Sequence, residues 1–132
     1  MSNANTYCAK FSPFLLSILR IAIAILFMQH GGQKLFEYPA GGHKAALVSL
    51  MGLGGVLELV GGALILVGFL TRPVAFILSG EMAVAYFNFH AAGGFWPVVN
   101  HGELAVAYCF VFLYMAAAGA GPLSVDALRK KA

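Results

Sequence analysis

The chain has 132 residues, of which 61% are hydrophobic and only 10% are charged. Soluble domains carry about 25% charged residues, so this composition excludes an ordinary soluble domain and is typical of a small membrane protein. The net charge of +3 does not indicate nucleic acid, because the basic residues are scattered and form no patch interleaved with aromatic residues. The two cysteines, Cys8 and Cys109, form no CxxC pair, and we expect ordinary thiols.

Residues 1–12 are mostly polar, and we expect a poorly ordered cytoplasmic tail. Four apolar segments follow, at 13–36, 45–70, 73–92 and 101–119. Each is long enough to cross a bilayer as a helix, and short connections join them, including a predicted tight turn at 71–72. We therefore predict an all-α fold, with residues 13–121 forming an antiparallel four-helix transmembrane bundle. Residues 122–132 would be a basic cytoplasmic tail.

The distribution of Lys and Arg predicts the orientation. Four spans place both termini on one side of the membrane. That side would hold the basic residues Lys10, Arg72, Arg129, Lys130 and Lys131. The positive-inside rule then predicts a multi-pass protein of the bacterial inner membrane with both termini in the cytoplasm.

The second span carries a glycine stripe with one charge in it. Gly54, Gly61 and Gly68 are seven residues apart, and at helical spacing Glu58 lies on the same face. Small residues allow another helix to approach closely. We therefore expect Glu58 to face the interior of the bundle, not the lipid.

Ionisable residues inside the predicted spans need partners, because each costs about 2.5–3.5 kcal/mol to insert. The later spans carry Glu58, Glu81 and Glu103, and the first carries Arg20. Estimated depths favour a buried polar network of Arg20, Glu58 and Glu81. An ion pair of Arg20 with one of these glutamates could also serve only to fix the register of the helices.

A second polar group gathers toward the outer surface. It could form a pocket open to the outside, built by His30, Lys34, Asn88, His90, His101 and Glu103. The alternative is that these side chains simply reach for the interface, as long polar side chains commonly do. We expect no metal site, because no two of them form an i, i+4 pair on one helix. Most aromatic residues would serve packing, but some could line a slot for a flat ring: Phe87, Phe89, Phe95, Trp96, Phe110 and Tyr114.

Several segments together resemble the DoxX family of small four-helix bacterial membrane proteins. The matching pieces are an early Arg20, then GGQKLF at 31–36, ELVGGAL at 58–64, GFLTR at 68–72, NHGE at 100–103 and GxGxxSxD at 119–126. The likeness covers about residues 13–128. It implies redox work at the membrane, since relatives are linked to thiosulfate:quinone oxidoreduction and to a complex of superoxide dismutase with a sulfurtransferase. The candidates in the matching motifs are Arg20, Glu58, Arg72 and Glu103.

The first functional hypothesis is therefore a membrane subunit of a quinone-linked oxidoreductase system. Glu58 would deliver protons and Arg20 would hold it in place, which makes these two the candidate catalytic residues. The sequence has no motif for flavin, haem or an iron–sulfur cluster, so the protein would bind quinone itself or use a cofactor of a soluble or membrane partner. The alternatives are a small oligomeric transporter, which would require homo-oligomers, and a non-catalytic membrane scaffold for soluble redox partners.

Overall fold

The computed structural model describes residues 3–131, with side chains from residue 6 onward. Within that part of the chain all regular structure is helical, as the sequence predicts. The helices are α1 (Asn3–Phe36), α2 (Leu50–Val67), α3 (Thr71–Ala85), α4 (Pro97–Asn100), α5 (Glu103–Ala118) and α6 (Val125–Arg129). A π-helical segment, Tyr86–His90, and a 3-10 turn, Ala91–Gly93, continue α3.

The N-terminal tail is largely helical, which corrects the expectation of a poorly ordered segment at 1–12. α1 begins at Asn3, and Pro13 lies inside it instead of opening it. A proline removes one backbone hydrogen bond but does not prevent the preceding residues from being helical. Tyr7 and Phe11 are exposed on this extension, as lipid-facing residues would be. Residues 1 and 2 lie outside the described part.

The predicted second span, 45–70, is too long at both ends. α2 begins at Leu50, because the Ser49 hydroxyl accepts a hydrogen bond from Gly52 N at 3.0 Å and caps the helix. It ends at Val67, because the next residue, Gly68, has a φ of 70°, a left-handed conformation that glycine adopts without strain. The tight turn therefore lies at 68–70, and Thr71 already belongs to α3, which corrects its predicted position at 71–72.

Four long helices share one core. α1 packs against α2, α3 packs against α5, and α2 also contacts α3. The ring of Phe27 on α1 lies 5.2 Å from that of Tyr108 and 4.8 Å from that of Phe112, both on α5. The fully buried residues Ile65 and Leu78 complete this core from α2 and α3.

The surface is apolar and several buried residues are polar, the reverse of a soluble protein. Arg20 and Glu58 are 1% and 2% exposed, whereas Leu15, Ile18 and Ile77 are more than half exposed. Among the described residues, two helical stretches are long and apolar enough to cross a bilayer, Thr6–Phe36 and Leu50–Val67, and α5 is a shorter apolar helix. Exposed apolar surface on this scale requires lipid or a partner to cover it.

The glycines of α2 let both neighbouring helices approach closely. A Cβ added at Gly61 would lie 2.7 Å from Leu78 Cδ2 on α3, and one at Gly62 would lie 2.5 Å from Met28 Cγ on α1. Gly61 thus confirms the predicted close contact of the stripe with another helix, and Gly62 adds a second contact on the neighbouring face. Glu58, on the same helix, is buried, as expected.

Candidate functional site

An ion pair between α1 and α2 lies at the centre of the candidate site. Lys34 Nζ donates to Glu58 Oε1 at 2.6 Å. The Glu58 side chain is 3% exposed and that of Lys34 is 24% exposed. The pair forms because α1 and α2 touch at Gly31, where an added Cβ would lie 2.7 Å from Gly55 O. This close crossing brings Lys34, one turn further along α1, beside Glu58.

A second carboxylate, Glu81 of α3, lies beside this pair. A Cβ added at Gly54 would lie 3.3 Å from Glu81 Oε1 and 3.8 Å from Lys34 Nζ, so the two side chains converge on the bare backbone of Gly54. Within residues 3–131 neither oxygen of Glu81 has a hydrogen-bond partner, and both are buried. Glu58 Oε2 is likewise buried and unpaired there. The site therefore holds more acceptors than the described residues satisfy.

A cavity of about 310 Å³ opens beside the ion pair. Most of its wall is apolar or aromatic, and its lining residues are Phe27, His30, Lys34, Met51, Glu58, Met82, Ala85, Phe89, His90, His101, Leu104, Ala105 and Tyr108. An apolar cavity with a few convergent polar groups is the usual form of a small-molecule site. No group of three or more His, Cys, Asp or Glu side chains among residues 3–131 is arranged to hold a metal ion.

Hydrogen bonds hold the segment that forms the rim of this cavity. Asn100 Nδ2 donates to Gly94 O at 2.6 Å and to the Tyr86 hydroxyl at 3.2 Å, and that hydroxyl donates to Phe95 O. His90 Nδ1 lies 3.2 Å from Asn100 O. The π-helical segment and the loop before α5 are therefore tied to each other above the cavity.

The predicted outer pocket is assembled in part. Four of its six residues line the cavity: His30, Lys34, His90 and His101. Asn88 and Glu103 do not line it, and both are exposed. Of the aromatic residues proposed to line a slot, only Phe89 does so.

Arg20 does not join the buried network with Glu58 and Glu81, which corrects the predicted pairing. Its guanidinium donates to Leu66 O at 3.3 Å, to Leu123 O at 2.7 Å and to Ala120 O. Arg20 lies about 21 Å from Lys34 along α1, at 1.5 Å rise per residue. Backbone carbonyls at the C-terminal end of α2 and after α5 thus hold both NH2 groups of this cation, while its Nε has no partner among residues 3–131. A catalytic role next to Glu58 has no geometric support.

Arg72 and the C-terminal motif also belong to this far end. Arg72 Nη1 donates to Ala116 O at 3.2 Å and to Ala117 O, which caps the last turn of α5. The Asp126 carboxylate accepts hydrogen bonds from Leu70 N at 2.9 Å and Thr71 N at 2.8 Å, which caps the first turn of α3. We name residues 119–129 the C-terminal clasp; it ties α1, α2 and α3 together.

Sequence reasoning missed several side chains of the cavity wall, among them Tyr108, Met51 and Met82. Tyr108 is 3% exposed and its ring lies 6.0 Å from that of His30. The signal was available for Tyr108, since Ala105, Tyr108, Phe112 and Met115 recur at steps of three and four along α5 and are all buried. Phe110 and Tyr114, which face the other way, are exposed.

The fold and the site define the class of protein first: a helical membrane protein with a cavity beside a buried ion pair. The model of the DoxX family matches residues 15–91, and the chain belongs to that family. Arg20, the ion pair and the α2–α3 turn all lie in the matched part.

Two relatives cover most of the chain, and one of them is described as an inner membrane protein. The chain is 44% identical to an uncharacterized protein of Haemophilus influenzae over 123 residues, which cover 89% of this chain and 92% of the relative. It is 33% identical to the inner membrane protein YqjF of Escherichia coli over 123 residues, covering 86% and 91%. No solved structure matches the chain. The chain is thus an integral membrane protein of the DoxX family.

Proposed function

We propose that this protein binds a quinone head group in the cavity of about 310 Å³ and serves as a membrane subunit of a quinone-linked redox system. The observation that carries the proposal is the position of the buried Lys34–Glu58 ion pair in the wall of an otherwise apolar cavity. A flat ring suits the apolar wall, and the Lys34 ammonium group can donate a hydrogen bond to a ring carbonyl.

The chemistry assigned to the chain is positioning and proton transfer. Reduction of a quinone to a quinol takes up two electrons and two protons. The electrons would come from a sulfur compound or another small reductant through a soluble or membrane partner, whose cofactor carries them. Lys34 would orient the ring, and Glu58 would exchange a proton with it through Lys34. Arg20 would take no part, because its guanidinium is held by carbonyl groups at the other end of α1.

The same proposal includes an antiparallel bundle that crosses the membrane four times. α3 with its π-helical and 3-10 continuations has 23 residues from Thr71 to Gly93, or about 35 Å at 1.5 Å per residue, enough for a bilayer core of about 30 Å. α5 is shorter, but Trp96 and Phe95 precede it as exposed aromatic residues of the kind found at membrane interfaces. Both termini would lie in the cytoplasm, and homo-oligomers could form within the bilayer.

Binding of decylubiquinone to the protein in lipid nanodiscs, measured by calorimetry, tests the proposed site. We expect Lys34→Met to weaken binding at least about tenfold, since a hydrogen bond from a charged donor is lost. Lys44→Met, in the exposed loop before α2, is the matched control and should bind as the parent does. Ala85→Phe fills the cavity without removing the ion pair and should abolish binding. Equal affinity in all variants would contradict the proposal.

Identification of the partner tests the redox system. The protein would be tagged at its C-terminus, released gently from native membranes and analysed by mass spectrometry together with what co-purifies. We expect a flavoprotein, a sulfurtransferase or a dismutase in stoichiometric amount. Recovery of the protein alone would contradict a stable redox complex.

A further inference from the structure

A second cavity, of about 200 Å³, lies between α2 and α3 on the other side of Lys34. The two cavities are adjacent, because Lys34, Met51, Ala85 and Phe89 line both. An engineered apolar cavity of about 150 Å³ holds a benzene molecule, so this one has room for a single aromatic ring.

The mouth of this second cavity faces the lipid. Several of its lining residues are apolar and about half exposed: Leu50, Leu53, Ile77, Val84 and Phe89. They lie on the apolar outer surface of α2, α3 and the π-helical segment, where hydrocarbon chains would cover them. The histidines that form part of the first cavity's wall do not line the second. A ligand would therefore enter the second cavity from the bilayer and the first from the polar rim.

Glu81 supplies the chemical selectivity of the second cavity. It is the carboxylate in that wall, and its buried oxygens have no hydrogen-bond donor among residues 3–131. A carboxyl group keeps acceptor capacity whether or not it is ionised. Buried polar groups left unpaired cost free energy, so this site favours an occupant that donates a hydrogen bond. Gly54 keeps the approach open, because the wall beside Glu81 there has no side chain.

We propose that the second cavity binds the hydroxylated ring of a membrane-dissolved amphiphile, which enters laterally between α2 and α3 and donates its hydroxyl to Glu81. Its tail stays in the bilayer between Leu53 and Ile77. This inference deepens the proposed function, since a quinol is such an amphiphile and the shared wall at Lys34 would connect its cavity to that of the quinone. Hydroxyl recognition by Glu81 needs no redox step.

A pair of redox-inactive ligands tests hydroxyl recognition. 4-Decylphenol and 4-decylanisole differ only by a methyl group on the oxygen, which removes the hydrogen-bond donor. For the protein in nanodiscs we expect the phenol to bind at least about tenfold more tightly than the anisole. Glu81→Leu should abolish that preference, and Glu103→Leu, at an exposed carboxylate, should keep it. Equal affinity of the two ligands for the parent protein would overturn the proposal.

Photolabelling tests the lateral entry. A 4-decylphenol with a diazirine in its tail should label α2 or α3 at residues such as Leu53 and Ile77, as read by peptide mass spectrometry. Gly54→Leu, which places a side chain next to Glu81, should remove the label. Gly80→Leu is the matched control, since a Cβ there meets nothing within 4 Å, and it should leave the label in place. Label on Leu104 or His101 would overturn the proposal. Absence of label, as when a second copy of the chain covers the mouth, would also overturn it.

The two proposals can fail separately. Loss of decylubiquinone binding in Lys34→Met with equal affinity for the phenol and the anisole would support the first cavity's role and refute the second's. A clear phenol preference with no binding of decylubiquinone would refute the quinone function and leave the amphiphile site standing.

Discussion

Lys34 and Glu58 form a pair in which each side chain depends on the other. Glu58 is 2% exposed, and the contact with Lys34 Nζ is the one hydrogen bond that its side chain makes among the described residues. Removing one partner of a buried pair leaves an uncompensated charge, whereas replacing both with neutral groups is often tolerated. A double variant can therefore separate the contribution of the ion pair to stability from the contributions of the two single residues.

We expect Lys34→Met to lower the free energy of unfolding by about 3–5 kcal/mol, because the buried Glu58 side chain loses its partner. The double variant Lys34→Met with Glu58→Gln should recover most of that loss. Unfolding by titration with sodium dodecyl sulfate measures both, and Lys44→Met is the control for loss of an exposed lysine. If the free energy of unfolding lost in the double variant equals the sum of the losses in Lys34→Met alone and Glu58→Gln alone, the pairing is contradicted.

We expect the C-terminal clasp to be released in acid, because the Asp126 carboxylate holds it to the start of α3. Partial burial alone would raise the pKa of Asp126, but hydrogen bonds from Thr71 and Leu70 outweigh it and hold the pKa below its ordinary value. A carboxyl with a lowered folded-state pKa stabilises the fold above its unfolded pKa of about 3.9, and this contribution is lost as the pH falls through the folded value. Asp126→Ala should therefore destabilise the protein at pH 7 and have little effect at strongly acid pH.

Amide hydrogen exchange at Leu70 and Thr71 checks this prediction. The parent protein should keep both amides protected at pH 7 and lose protection in strong acid, whereas Asp126→Ala should lose it at every pH. Glu103→Ala, at an exposed carboxylate, should behave as the parent does. Protection of these amides in Asp126→Ala at pH 7 would show that the carboxylate does not cap α3.

At the scale of the helix, the small residues at the α1–α2 crossing position the ion pair. A Cβ at Gly31 would lie 2.7 Å from Gly55 O and 2.8 Å from Leu59 N, and both of these are backbone atoms that cannot rotate away. The two helices would have to separate to admit it. Lys34 thus lies beside Glu58 only because residue 31 is a glycine, which has no side chain to separate the two helices.

Gly31→Ala should therefore destabilise the protein by about 1–3 kcal/mol, the cost of overpacking a tight contact. Gly80→Ala, on the exposed face of α3, has nothing within 4 Å of the new Cβ and should be neutral or slightly stabilising, since alanine is the better helix former. Thermal unfolding in detergent compares the two variants. A Gly31→Ala protein as stable as Gly80→Ala would show that the α1–α2 crossing is not tight.

The glycine stripe of α2 was predictable, because helical periodicity is a local property, and the same periodicity marks the buried face of α1. Arg20, Ala24, Phe27 and Gly31 recur at steps of three and four and are buried. The pairing of Arg20 was not predictable, since its acceptors are carbonyls of Leu66 and Leu123, 46 and 103 residues away. The start of α3 was missed for the same reason: its cap, Asp126, lies 55 residues beyond Thr71.

At the scale of the whole molecule, the two ends of the bundle differ in kind. One end is tied by arginines and Asp126 into the C-terminal clasp, and the other holds the ion pair and both candidate cavities. The sequence predicted polar residues at each end, because intramembrane charges are rare enough to stand out. It could not show that lysine, not arginine, neutralises Glu58, since that depends on how far α1 is shifted along α2.

The proposed bundle predicts on which side of the membrane each of its two ends lies. If the chain crosses the membrane four times, as proposed, the loop between α1 and α2 would lie outside and the C-terminal clasp inside. In a protein with Cys8 and Cys109 replaced by serine, His43→Cys should react with a membrane-impermeant maleimide on intact cells. Lys130→Cys should react only after the cells are permeabilised, and that reaction also shows that position 130 is accessible to the reagent. Both positions are exposed, so burial would not mask the result. Labelling of both from the outside would contradict three crossings between them, and the reverse pattern would place the ion-pair end of the bundle on the cytoplasmic side.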